Sequence, residues 1–146
     1  MKTYTNTMRV AFILIGLLTG QLVLAQNVNI REAGSLRHQL AKTTQDSSRA
    51  VILADLAEAY RSEKPDSTLY FADQALQLSR RINFPFGEMR AYLVLCFHFH
   101  MAVTDLPQAL ETGLKALEIT QKYHFTDYEG ACLIRLGQIN LALGNE

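Results

Sequence analysis

The feature that most constrains the fold is a pair of amphipathic segments within residues 49–78. In the first segment the apolar residues recur at the spacing i, i+3, i+4, i+7, as Leu53, Leu56, Ala57 and Tyr60. In the second they form a similar stripe of Leu69, Ala72, Ala75, Leu76 and Leu78. This spacing places the apolar side chains on one face of an α-helix. Two such helices joined by a polar turn cannot bury both stripes, so we expect neighbours of the same construction.

The rest of the chain supplies these neighbours at a regular spacing. Ala57, Phe97 and Gly137 are forty residues apart. The apolar frame of the first helix returns as Leu93, Cys96, Phe97 and His100, and again as Leu133, Leu136, Gly137 and Asn140. Internal periods of this length are typical of helical arrays. The sequence therefore predicts an all-α fold, namely an α-solenoid of antiparallel helix-turn-helix repeats with a period of about 40.

The frame resembles the tetratricopeptide repeat (TPR), a helix A–turn–helix B unit of small and large apolar positions. The Ala-Leu pair typical of its helix B stands at Ala75-Leu76 and again at Ala116-Leu117. Phe97 stands where the family usually has a small residue. The resemblance implies two repeats over 48–84 and 85–125 and a partial one over 126–146. A leader and capping helix over 26–47 would cover the exposed end of such an array.

Polar residues before each apolar segment predict the helix starts. Ser47 or Ser48, Asp66, Thr104-Asp105, and Thr126 or Asp127 are the expected N-caps. Their side-chain oxygens can accept hydrogen bonds from the free N–H groups of a first helical turn.

The first 25 residues have the form of a secretory signal peptide. Lys2 and Arg9 precede an apolar run over 10–24, and Val23 and Ala25 suit the positions before a cleavage site. We therefore expect an exported protein, periplasmic or extracytoplasmic. An uncleaved membrane anchor is the alternative, although the run is short for a membrane span.

Charge and composition exclude some partners. The chain has 14 Lys and Arg against 14 Asp and Glu, and no basic run. We therefore expect no binding to nucleic acid and no membrane contact by the repeats. We expect a protein or peptide partner instead.

Candidate chemistry is confined to Cys96, His98 and His100. On a helix Cys96 and His100 share a face while His98 points away, so we expect no metal site. His98 is predicted to point into the groove described below. We expect no catalytic residue and no cofactor, because no nucleophile has a base at a suitable spacing. A metal-dependent enzyme remains a remote alternative.

Cys96 and Cys132 lie on successive A helices, and export permits a disulfide between them. Both also occupy apolar stripe positions, where a free cysteine acts as a small apolar residue. Both interpretations stay open at this point.

The resemblance implies a concave groove lined by the A helices and suited to an extended peptide or a helix. The residues expected to form it are Glu58, Arg61, Val94, His98, Met101, Arg135 and Gln138, together with Ala54, Ile134 and Leu141. The lysine–asparagine clamp with which some family members hold a C-terminal carboxylate is not matched.

The expected function is a protein-interaction module. A signal segment, a leading helix and repeats of this length resemble the exported sensory region of bacterial sensor histidine kinases. The chain would then be a fragment, with further repeats, a transmembrane segment and the kinase downstream. A stand-alone periplasmic scaffold or assembly factor is the alternative. The last helix would expose Leu133, Leu136, Ile139 and Leu143, which suggests self-association through it.

Overall fold

The computed structural model describes residues 31–144. Over this range the backbone forms six α-helices and one π-helical segment, with no strand. The elements are α1 (31–42), α2 (Asp46–Tyr60), α3 (Pro65–Arg81), α4 (Pro85–Phe97), the π segment (His98–Val103), α5 (Leu106–Lys122) and α6 (Thr126–Ala142). The all-α prediction is confirmed for these residues. The expected signal peptide and the start of the leader lie outside them.

Each helix from α2 to α6 packs mainly on the helices before and after it in sequence, and smaller contacts join α2 to α4 and α4 to α6. Small buried residues permit this close packing. Ala54, Ala57, Ala72, Ala75 and Ala91 are fully buried in one core cluster that extends to Cys132 of α6. Among the helices of residues 31–144, none is long and apolar enough to cross a membrane.

Proline sets the start of three helices. Pro65, Pro85 and Pro107 lie in the first turns of α3, α4 and α5, where a missing N–H leaves no intrahelical bond unmade. The predicted cap at Asp105 is confirmed, because its Oδ1 accepts from the Gln108 N–H at 3.0 Å.

The other predicted caps are wrong. The cap positions of α2, α3 and α6 are held by Gln45, Lys64 and Phe125, without a side-chain cap hydrogen bond. Asp66 and Asp127 lie inside the first turns instead. There a carboxylate still interacts favourably with the positive end of the helix dipole.

Two of the turns between helices have the same construction. The Phe84 N–H donates to the Ser79 carbonyl at 2.8 Å, and the Phe125 N–H donates to the Thr120 carbonyl at 2.9 Å. Asn83 and His124, which precede these phenylalanines, have φ values of 51° and 57°. This bond combined with a left-handed residue is the Schellman ending of an α-helix. Helices α3 and α5 therefore end in the same way.

The starts of the alternate helices are not evenly spaced. Asp46 and Pro85 begin α2 and α4, 39 residues apart, whereas Thr126 begins α6, 41 residues after Pro85. Counted from the helix starts, Ala57 corresponds to Cys96, and both are fully buried. Phe97 corresponds to Glu58 instead. Because one residue turns a helix by about 100°, Phe97 lies on a different face from the one predicted.

Candidate functional site

The alternate helices α2, α4 and α6 carry the side chains of a groove. One cavity of about 250 Å³ lies along them, and its lining residues are Glu58, Arg61, Arg90, Leu93, Val94, Phe97, Tyr128, Ala131 and Arg135. A neighbouring cavity of about 450 Å³ shares Glu58, Arg61 and Arg90 with it and continues towards α1, where Glu32 and Leu36 line it. We call the two cavities together the groove. It has a mixed lining of charged, aromatic and aliphatic side chains.

Two ion pairs lie in the groove. Glu58 Oε1 is 2.6 Å from Arg61 Nη1 within α2, and Asp55 Oδ1 is 2.6 Å from Arg90 Nη1 between α2 and α4. All four side chains remain partly accessible to solvent. Ion pairs of this kind contribute up to about 1 kcal/mol each to stability. Their main effect is to fix the positions of the two arginines.

Phe97 lines the groove and has two guanidinium groups against its ring. The Arg61 Cζ is 4.3 Å from the ring centroid, and the Arg135 Cζ is 4.7 Å from it. Both distances are well inside the range of about 6 Å for an attractive cation–π contact. The arrangement joins α2, α4 and α6 through three side chains. The Arg135 Nη1 also donates to Gln138 Oε1 at 2.9 Å.

Four of the ten predicted groove residues line the groove. They are Glu58, Arg61, Val94 and Arg135. Gln138 does not line it, but its amide contacts Arg135.

Five predicted groove residues lie elsewhere. Ala54 is fully buried in the core. His98 is only 4% exposed, so it is a buried residue and not a groove residue. The charged side chain that affects it is that of Asp66 in α3. Burial lowers the pKa of His98, against a smaller opposing effect of the Asp66 carboxylate. Met101 is exposed on the π segment and is not among the lining residues. The same holds for Ile134 and Leu141, which are exposed on α6.

The sequence interpretation missed Phe97, Arg90, Leu93 and Tyr128. Phe97 was assigned to a packed position because a constant spacing of forty residues pairs it with Ala57. Counting from Pro85, the first residue of α4, would have placed it on the same face as Glu58. Leu93 corresponds to Ala54 by the same count.

The two cysteines are free thiols, so the disulfide considered above is not formed in the structure. Both are fully buried against α5, but at different turns of it. A Cβ on Gly113 would lie 3.1 Å from Cys96 Sγ, whereas Cys132 Sγ is 3.7 Å from Thr120 Oγ1. Gly113 and Thr120 are about two helical turns apart, which separates the two sulfurs.

His98 and His100 lie in the π segment. Within residues 31–144 no three side chains of His, Cys, Asp or Glu are grouped to hold a metal ion. The Nδ1 atoms of His98 and His100 are buried without a hydrogen-bond partner in this part of the chain. Cys96, which shares the short sequence run with them, packs against α5.

Comparisons with protein-family models, with curated proteins and with solved structures find no match for this chain.

Proposed function

We propose that residues 31–144 are a TPR-like solenoid that serves as an exported protein- or peptide-interaction module. The observation that carries the proposal is the groove itself. It is continuous along alternate helices and offers charged and aromatic side chains together. Surfaces of this composition suit an extended peptide or a helix better than a small apolar ligand.

Two features of the packing support the solenoid. Helices α2 to α6 pack mainly on their sequence neighbours, as the elements of a solenoid do. Helices α3 and α5 end in the same type of turn, so the chain leaves both helices in the same backbone conformation. In this proposal the first pair is α2 with α3, the second is α4 with α5, and α6 begins a third.

The expected role is recognition. In the groove the arginines Arg61 and Arg90 are each paired with a carboxylate, and such charged side chains are available to contact a polypeptide. In a receptor of the sensor-kinase kind, any catalytic output would belong to a separate domain. In a stand-alone scaffold, binding would be the whole function.

Site-specific photo-crosslinking tests the interaction role. A benzophenone amino acid placed at Ala131, inside the groove, should crosslink a partner in the native cell. The matched control is Gln77, which lies on α3 outside the groove. The crosslink from Ala131 should disappear when Phe97→Ala is added, because this substitution removes an aromatic ring that lines the groove. Identical products from Ala131 and Gln77, or none from Ala131, would contradict a binding groove.

Cell fractionation separates the receptor from the scaffold. An antibody raised against residues 31–144 should detect, in the receptor case, a membrane-associated product much larger than 16.4 kDa. A product of nearly this size released with the periplasmic fraction would contradict the receptor and favour the scaffold. A product retained in the cytoplasm would contradict export altogether.

A further inference from the structure

The α6 end of the groove carries a positive charge without a carboxylate partner. Among the described residues, Arg61 and Arg90 are each paired with an acidic side chain, whereas Arg135 has no carboxylate within ion-pair distance. One of its Nη atoms is engaged by the neutral amide of Gln138. A guanidinium has five N–H donors, so most of those on Arg135 have no acceptor in this part of the chain.

The Phe97 contact fixes these donors in place. A guanidinium stacked on an aromatic ring keeps its edge, which carries the N–H groups, free to bind other groups. Arg135 and Arg61 are both stacked on Phe97, at 4.7 and 4.3 Å from the ring centroid. The ring therefore holds the Arg135 guanidinium in place while most of its hydrogen-bonding capacity is unused.

The rest of the groove shows which anion fits. The half-buried side chains of Leu93 and Tyr128 and the exposed Ala131 line the same cavity as the arginines. At the opposite end, towards α1, Glu32 adds a negative charge to the lining. The groove is thus positive at its α6 end, apolar beside that end, and more acidic at its α1 end.

We propose that the groove binds an extended polypeptide segment through a carboxylate side chain held by Arg135, with a neighbouring large apolar side chain against Leu93 and Tyr128. This inference rests on the proposed interaction function and specifies the partner chemistry of the same site. Carboxylate is the matching group because its two oxygens accept hydrogen bonds from a guanidinium in parallel. A strongly basic segment would meet repulsion at the same end.

Titration with three short peptides tests the proposal. The probes are acetylated, amidated pentapeptides with alternating leucine and a variable residue, which is glutamate, glutamine or lysine. Binding is followed by two-dimensional NMR on the full chain, using the Arg135 side-chain Nε–H signal and the backbone amides of Phe97 and Ala131. We expect the glutamate peptide to bind about tenfold more tightly than the glutamine peptide, because a charged carboxylate forms stronger hydrogen bonds with a guanidinium than a neutral amide does.

Matched variants connect the binding to Arg135. Arg135→Gln should weaken binding of the glutamate peptide about tenfold, and Arg135→Lys should restore only part of it because the fork of donors is lost. The control is Lys122→Gln, which removes another cation lying over a ring, that of Tyr123 at 5.4 Å, outside the groove. It should leave the affinity unchanged. Circular dichroism of each variant verifies the fold.

Each contrary result has a distinct meaning. Equal binding of the glutamate and glutamine peptides in the groove would overturn the carboxylate specificity while leaving the peptide-binding function intact. Tighter binding of the lysine peptide would overturn the proposed polarity. If no peptide shifts the groove signals, the carboxylate site is rejected, and the crosslinking at Ala131 decides the interaction function independently.

Discussion

Thr104 holds a backbone conformation that is costly for a β-branched residue. It follows the π segment with φ 58° and ψ 35°, in the left-handed region. A residue with a Cβ loses roughly 1–2 kcal/mol in this region, and glycine does not. In α6 the corresponding position after the helix is Gly144, with φ 73°. Thr104 is therefore a site where the native residue is not the most stable one.

We expect Thr104→Gly to raise the free energy of unfolding by about 1 kcal/mol, because relief of the left-handed conformation outweighs the greater freedom of glycine in the unfolded chain. Urea denaturation measures this difference. Thr44→Gly is the matched control, since Thr44 is an exposed loop residue without a positive φ. That control should be neutral or slightly destabilising. A stabilisation of equal size in both variants would show that backbone strain at Thr104 is not the cause.

The buried thiol of Cys96 makes the free energy of unfolding fall as the pH rises into the alkaline range. Burial of its thiol raises the pKa from 9.0 to about 11. Between these values the unfolded chain loses the thiol proton while the folded chain keeps it, so the folded state loses stability as the pH rises. At pH 10 this loss amounts to about 1 kcal/mol.

Urea unfolding of the wild type and of Cys96→Ala at pH 7 and pH 10 isolates this contribution. We expect the wild type to lose about 1 kcal/mol more than the variant over this interval, because only the wild type has the titrating thiol. The compared quantity is the change in unfolding free energy between the two pH values within each protein, so the cavity left by the alanine does not affect it. An identical pH dependence of the two proteins would contradict the raised pKa.

Helix α2 has one face buried in the core and another that lines the groove, and Leu56 and Glu58 represent these two faces. Leu56 is fully buried in contact with the α1 side of the core, whereas Glu58 lines the groove and its side chain is 42% exposed. We expect Leu56→Ala to destabilise the fold by about 2–5 kcal/mol, as loss of a buried leucine usually does. Glu58→Ala should stay within about 0.5 kcal/mol of the wild type. Thermal denaturation compares them, and losses of similar size would place Glu58 in the core.

The helices themselves were largely predictable from the sequence because their apolar stripes are strong. The stripe of Leu53, Leu56, Ala57 and Tyr60 is buried as expected. The helix starts were harder to predict, since Pro65 fixes the start of α3 and places Asp66 inside it. Proline and packing thus determined the starts more strongly than capping side chains did.

The groove was predicted only in part, for a geometrical reason. Arg61 and Arg135 were found because their helices are regular around them. Phe97 and His98 were exchanged between the core and the groove because α4 begins 39 residues after α2, one fewer than the expected forty. That single residue rotates the assignments in α4 by about 100°, whereas α6 begins 80 residues after α2 and returns to the expected spacing. The π segment also has no distinctive sequence signature by which it could have been found.

At the scale of the whole molecule, α6 presents apolar side chains to solvent. Leu133, Ile134 and Leu141 are 52%, 66% and 74% exposed. Contiguous exposed apolar residues of this kind promote association. The self-association expected from the sequence stays a prediction, now located on these three residues. Of the four residues expected to be exposed, Leu133 and Leu143 are exposed, whereas Leu136 and Ile139 are buried.

We expect the chain to associate with increasing concentration and Ile134→Lys with Leu141→Glu to remain monomeric, because the two charges remove the apolar face without touching the core. Sedimentation equilibrium over a range of concentrations measures this. Gln77→Lys with Gln121→Glu, two exposed polar positions, is the control pair and should behave as the wild type does. A double variant of α6 that still associates would locate the contact elsewhere.

The packing of each helix on its sequence neighbours has a consequence for how the chain folds. Contacts between α2 and α3, or between α4 and α5, close only short loops and therefore cost little chain entropy. Chains dominated by such local contacts have low contact order and reach the native state quickly. A nucleus formed by any adjacent pair can then extend in both directions, one helix at a time.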